Sequence, residues 1–208
     1  MRIFACVVFC AFMSGCALTT DSIDVPYQPD AAAVAAQVAG ANTVTVTVAG
    51  LDARTAYRDR VSTKKNGYGM EMAAIVASND IPLTVRGAVE QELLSRGYKM
   101  GPKNVQMNIE VVKFYNDFKN GFFSGDAIAE VAFNVKVLRS DGALVLSKYY
   151  SGNGTEANIQ LTSGSNARAA LVAAFRSAVN SLVSDPDLHN ALAAAQRSGE
   201  TLASKPTS

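Results

Sequence analysis

The chain has 208 residues, of which 49% are hydrophobic and 18% charged, with a formal net charge of +1. That composition supports a core for one domain with appendages, and the absence of a block of basic residues excludes the footprint of a nucleic-acid binder. One histidine, three cysteines and no tryptophan exclude Cys/His zinc sites and most histidine-dependent catalysis.

The N-terminus is an address. Met1-Arg2 precedes an almost wholly apolar stretch from Ile3 to Met13, followed by Ser14-Gly15-Cys16. A short positive start, a brief apolar run and small residues before a cut site make a secretory signal peptide over residues 1–15. The run is too short to cross a membrane as a helix, which needs about 20 residues. Met13-Ser14-Gly15-Cys16 resembles the bacterial lipobox, with Met where Leu is usual. The resemblance implies a diacylglycerol on the Cys16 thiol, cleavage before Cys16 and an acylated new amine. The alternative is a plain signal peptide cut after Ala17. Cys6 and Cys10 leave with the signal, so the mature chain keeps neither a free thiol nor a disulfide. Ala17, not Asp, follows the cysteine, and lipoprotein sorting then implies the outer membrane with the body in the periplasm.

Residues 16–42 read as a lipid-anchored tether, punctuated by Pro26 and Pro29 and ending in an alanine-rich spacer. The periplasmic body is expected over 43–196. Thr43 to Ala49 alternates as a strand, and a second strand is expected near Gly69–Ala77. Asn79-Asp80 supplies a helix N-cap, Pro82 fits the first turn and Gly97 closes a helix over 81–96. Val105 to Val111 alternates, with a bulge at Val111-Val112. Asn120-Gly121 turns the chain into a strand carrying Ala127, Ala129, Val131, Phe133, Val135 and Val137, and Asp141-Gly142 turns it again into Ala143–Tyr150. Gly152 to Gly164 reads as a loop. Leu171, Phe175, Ala178, Val179 and Leu182 form one apolar stripe of a long helix. Leu188 and Leu192 suggest a short further helix, and 197–208 a frayed tail. The expected fold is an α+β two-layer sandwich: a mostly antiparallel sheet of four or five strands with two main helices on one face.

Several segments together resemble the YajG-type family of bacterial lipoproteins. They are Val44–Val48 with Leu51-Asp52-Ala53-Arg54, the run from Arg86 to Tyr98, Met100-Gly101-Pro102, and the helical block ending Ser184-Asp185-Pro186-Asp187-Leu188. The resemblance covers nearly everything after the tether. It implies a lipid-anchored envelope protein and supplies no catalytic residues.

No catalytic constellation emerges. His189 has no identifiable partner, no G-x-S-x-G occurs, and Asp52, Asp59, Asp117 and Asp126 are scattered without metal-loop spacing. Gly152-Asn153-Gly154 imitates a phosphate-binding fingerprint, but no helix opens there. Neither cofactor nor metal is expected. Two surface features remain. Arg54, Tyr57, Arg58 and Tyr68 lie in a polar segment that either meets an acidic partner or pairs its arginines with its own aspartates. Phe118, Phe122 and Phe123 flank the Asn120-Gly121 turn, and either pack under the sheet edge or form an exposed patch. The favoured reading is a non-enzymatic binding or scaffold module, held to the membrane by lipid and engaging an envelope protein or peptidoglycan. A small-ligand or peptidoglycan-fragment binder is the alternative, and a carboxylate hydrolase a third.

Overall fold

The computed structural model describes residues 18–30, 36–102, 105–121 and 123–203. The signal peptide, Cys16 and Phe122 lie outside the described residues. Eight strands and three α-helices follow in order: β1 (Asp21–Ile23), β2 (Thr45–Asp52), β3 (Ser62–Lys65), β4 (Glu71–Ala77), α1 (Ile81–Ser95), β5 (Lys99–Met100), β6 (Val105–Asn120), β7 (Gly125–Arg139), β8 (Leu144–Ile159), α2 (Gly164–Val183) and α3 (Pro186–Ala203).

β6 is the spine of the sheet. On one side it pairs antiparallel with β7 along its whole length, and β7 pairs with β8. Its other side is shared by two parallel partners, β2 from Val105 to Val111 and β3 at Asn116. β5 adds to β2, while β4 and then β1 add to β3. The register shift between Val111 and Lys113 marks the expected bulge, and it falls where one parallel partner ends and before the next begins. The sheet is therefore mixed and eight-stranded, not four or five strands and mostly antiparallel. The strands missing from the sequence reading, β1, β3 and β5, are two to four residues long. Alternation has no room to declare itself over so few positions.

The helices cover one face, as expected of a two-layer α+β fold. Residues opposed across three strands, Phe114, Val131 and Gly152, lie under α2. Phe175 of α2 is fully buried, edge-on to Phe114 and to Tyr27 at centroid distances of 5.7 and 5.3 Å. The other face stays open and is laced by cross-strand ion pairs, Lys113 with Glu130 and Lys136 with Glu110, each at 2.6 Å. α1 starts as its sequence dictates, with the Asp80 carboxylate accepting from the Leu83 amide at 2.8 Å, and Gly97 follows it with φ of 97°.

Three expectations change. Gly152 and Gly154 belong to β8, not a loop: a Cβ on either would collide with the backbone of α2, so the glycines bring helix and strand together. The tail continues as helix to Ala203, making α3 an 18-residue element. The presumed tether is largely part of the body. β1 extends the sheet, Val25 is fully buried, and the Tyr27 hydroxyl donates to Glu92 at 2.7 Å. Further on, the Val38 backbone amide donates to the Arg96 carbonyl and the Gln37 side-chain Nε2 to the Ser95 carbonyl. Short polar runs with proline read as spacer, yet two or three buried side chains are enough to fix such a segment.

Candidate functional site

The polar segment after β2 folds around its own charges. Arg54 is only 7% exposed. It grips the Asp52 carboxylate through two bonds, Nε to Oδ1 at 2.9 Å and Nη2 to Oδ2 at 3.0 Å, and also donates to the carbonyls of Tyr57 and Arg58. These bonds, against some burial, hold the Asp52 carboxyl below its usual range. Arg54 is thus an internal clamp of the turn: of the two readings of this segment it takes the pairing with its own aspartate, in place of the partner contact also considered for it. Tyr57, with φ of 54°, stacks on Tyr115 at 4.3 Å, and the Tyr115 hydroxyl meets Thr63 Oγ1 at 3.1 Å. Arg58 stays outward, 3.6 Å from Asp52. A cavity of about 290 Å³ lies between this turn and the start of α1.

A larger cleft, about 740 Å³, opens at the end of the sheet where the tips of two hairpins and the β8–α2 loop converge. Asn66-Gly67, Asn120-Gly121, Phe123 to Gly125, Ile159 to Ser163, and Thr19 with Asp21 all contribute to its wall. Hydrogen bonds lock these segments to one another. Asn120 Nδ2 donates to the Asn66 carbonyl at 2.6 Å, and Thr162 Oγ1 both accepts from the Lys65 amide and donates to the Lys65 carbonyl. Buried Lys64 reaches the Thr19 carbonyl at 2.9 Å and Asp21 at 2.7 Å, and Lys65 pairs with Asp117 at 2.5 Å. Asp21 in turn accepts from the Gly164 amide at 2.9 Å, beside Ser163, whose hydroxyl caps α2. Burial works to raise the Asp21 carboxyl, but the bonds from Lys64 and Gly164 outweigh it and leave it below its usual range.

The aromatic expectations separate here. Phe118 is 1% exposed and belongs to the core, because the β6 pleat turns it toward the helices. Phe123 and Tyr68 stand outward at the cleft end, 87% and 91% exposed. Arg58 and Tyr57 belong to the other, smaller cavity region, so the structure does not gather the candidate residues into one site. Lys64 and Lys65 belong to the polar segment from Arg54 to Tyr68 that the sequence marks as a surface feature, whereas Asp21 and Leu161 were not singled out. Leu161 had a signal, as the one large apolar residue in the polar run from Gln160 to Ser165.

His189 is fully engaged in structure. Its Nε2 donates to the Val183 carbonyl at 3.0 Å, which fixes the tautomer, so Nδ1 accepts from the Tyr98 hydroxyl at 2.9 Å. Burial pushes the imidazole below its ordinary pKa and raises the Tyr98 phenol to about 12. Among the described residues no cluster of three or more metal-ligating side chains occurs, and no helix is long and apolar enough to cross a membrane.

A family model described as "Uncharacterized lipoprotein" matches residues 29–193. The chain belongs to that lipoprotein family. The match spans β2 to β8, α1, α2 and the first part of α3, and leaves β1 of this lipoprotein outside it. Among solved structures, a Xanthomonas campestris protein superposes with a TM-score of 0.53 at 18% identity, covering 86% of this chain and 99% of its own. That likeness establishes a shared fold. A minor lipoprotein from Acinetobacter baumannii follows at a TM-score of 0.46 and 8% identity, over 71% of this chain and 93% of its own. No curated protein matches the lipoprotein.

Proposed function

We propose that this lipoprotein is anchored in the outer membrane through acylated Cys16, faces the periplasm, and acts without catalysis as a binding module for another envelope component. The strand-tip cleft carries this reading. It combines ion-paired lysines with outward apolar side chains, and its one helix N-terminus is already filled by Asp21. The sole imidazole is committed to structural bonds on both nitrogens, which leaves it no proton to exchange with a substrate. Family membership supports the lipid anchor.

The test is site-specific photo-cross-linking in intact cells. Probes at Ser124 and Gln160, on the cleft wall, are expected to give discrete adducts, and a probe at Tyr149 on the open sheet face is not. Discrete adducts from Tyr149 alone would move the site to the open face. The cleft volume also lies within the range of about 300–1,000 Å³ seen for small-ligand pockets, which favours a peptidoglycan fragment as the second reading. A muropeptide at about 100 times its Kd would stabilise the protein by roughly 2.7 kcal/mol, a shift readily seen in thermal denaturation.

A further inference from the structure

Among the described residues, the five most exposed large apolar side chains are Tyr68 at 91%, Phe123 at 87%, Leu161 at 74%, Leu18 at 65% and Met70 at 59%. All five lie at the strand-tip end. Phe123 and Leu161 line the cleft, Tyr68 follows Gly67 of its wall, Leu18 precedes Thr19, and Met70 donates its amide to Asn66 at 3.0 Å. A soluble surface scatters single apolar residues, whereas concentration at one end marks a contact.

The chain itself says what that end contacts. The Thr19 carbonyl is bound by buried Lys64, and Asp21 begins β1, so the N-terminal segment is fixed to the body from Thr19 onward. Thr19 is three residues beyond Cys16, a reach of at most about 11 Å of extended chain. An acyl anchor on Cys16 therefore holds this end, and no other, within about 11 Å of the lipid headgroups. Tyrosine, phenylalanine and leucine are the side chains that settle into a membrane interface. Two of the cations at this end, Lys64 and Lys65, are paired with Asp21 and Asp117, so apolar contact supplies most of the attraction.

We propose that the strand-tip end is a membrane-seating surface. Tyr68, Met70, Phe123, Leu161 and Leu18 enter the bilayer interface around the lipid anchor, and the open sheet face and helices are left to the periplasm. This rests on the acylation of Cys16 proposed above. The orientation places the cleft mouth at the membrane surface, where it meets a component of the bilayer or one held against it.

The chain contains no tryptophan, so single substitutions report without background. The full-length, acylated Tyr68→Trp, Phe123→Trp and Tyr149→Trp variants are reconstituted in phosphatidylethanolamine/phosphatidylglycerol vesicles, with and without acyl-brominated lipid. Labelled fatty acid on Cys16 and flotation with the vesicles are read in parallel. The expected result is blue-shifted emission and at least twofold stronger bromine quenching at positions 68 and 123 than at 149. Floating protein with equal, water-like emission at all three positions overturns the seating while leaving the anchor intact. Stronger quenching at 149 overturns it in favour of the open face. Emission at 68 and 123 that stays water-like in vesicles but shifts in whole envelopes replaces the bilayer by a protein partner. Failure of both labelling and flotation overturns the anchor, and the seating with it.

Discussion

The turn after β2 and the strand-tip end both looked like partner-binding surfaces by composition, yet they are built in opposite senses. In the turn, Arg54 faces inward and its donors are consumed by Asp52 and by neighbouring carbonyls. At the strand tips the backbone and lysines are locked to one another, and the apolar side chains are the groups left facing out. Residue types favoured at interfaces therefore say little until their acceptors are counted. A cation with five internal bonds serves the fold, while an aromatic ring projected from a rigid tip is available to something else.

The contrast can be broken by substitution. Phe175→Ala removes the ring that meets both Tyr27, in the N-terminal segment, and Phe114, in the spine strand. It is expected to cost about 3–5 kcal/mol in denaturant unfolding, and a loss below about 1 kcal/mol would mean that α2 does not hold the N-terminal segment to the sheet. Arg54→Ala should cost on the order of 2–3 kcal/mol, less than removing one partner of a fully buried pair because Asp52 still meets water. The pair also sets an acid limit. The Asp52 carboxyl is depressed in the folded state, so its contribution is present above the ordinary carboxylate range and is lost as pH falls through the folded value. Wild type should lose more stability than Arg54→Ala on acidification below about pH 4; equal losses would show that Asp52 is not the linked group.

His189 supplies a smaller effect at milder pH. Its folded pKa lies below the unfolded value, so the unfolded chain takes up the proton first. The stabilising contribution is complete above about pH 6.5 and declines as pH falls toward the folded pKa. A melting temperature that falls between pH 7.5 and 5.5 in wild type, but falls less in His189→Gln, is the expected pattern. The smallest effect belongs to the exposed groups: Arg58→Ala with Tyr68→Ala should change stability by about 0.5 kcal/mol or less at each site. A large drop would show that Tyr68 is structural and would erase the difference between the two regions.

Legibility in the sequence followed length and periodicity. α1, α2, the long strands β6 and β7 and the bulge at Val111 were readable because each shows several periods of a pattern or an explicit cap. β1 and β3 were not, since three or four residues carry no period and their burial comes from neighbours distant in the chain. Gly152 and Gly154 misread as loop because a strand glycine and a loop glycine look alike until the helix above them is known. For the site, the sequence left a core and an exposed reading open for the aromatics around the Asn120-Gly121 turn, and the structure divides them: Phe118, on the pleated strand, is buried, while Phe123, in the turn, is exposed like Tyr68. The cleft was invisible, since its wall is assembled from segments up to 144 residues apart, from Thr19 to Ser163.

The most direct measurement of the central claim is the height of the body above the bilayer, read by neutron reflectometry of the acylated protein in a supported membrane. A free 16–42 tether would allow up to about 90 Å of extended chain between lipid and body. With the chain fixed from Thr19 onward, protein density is expected to begin within the headgroup layer, with no intervening water, and to retreat in Tyr68→Ser/Phe123→Ser. A water layer of about 20 Å or more beneath the wild-type body would contradict the account.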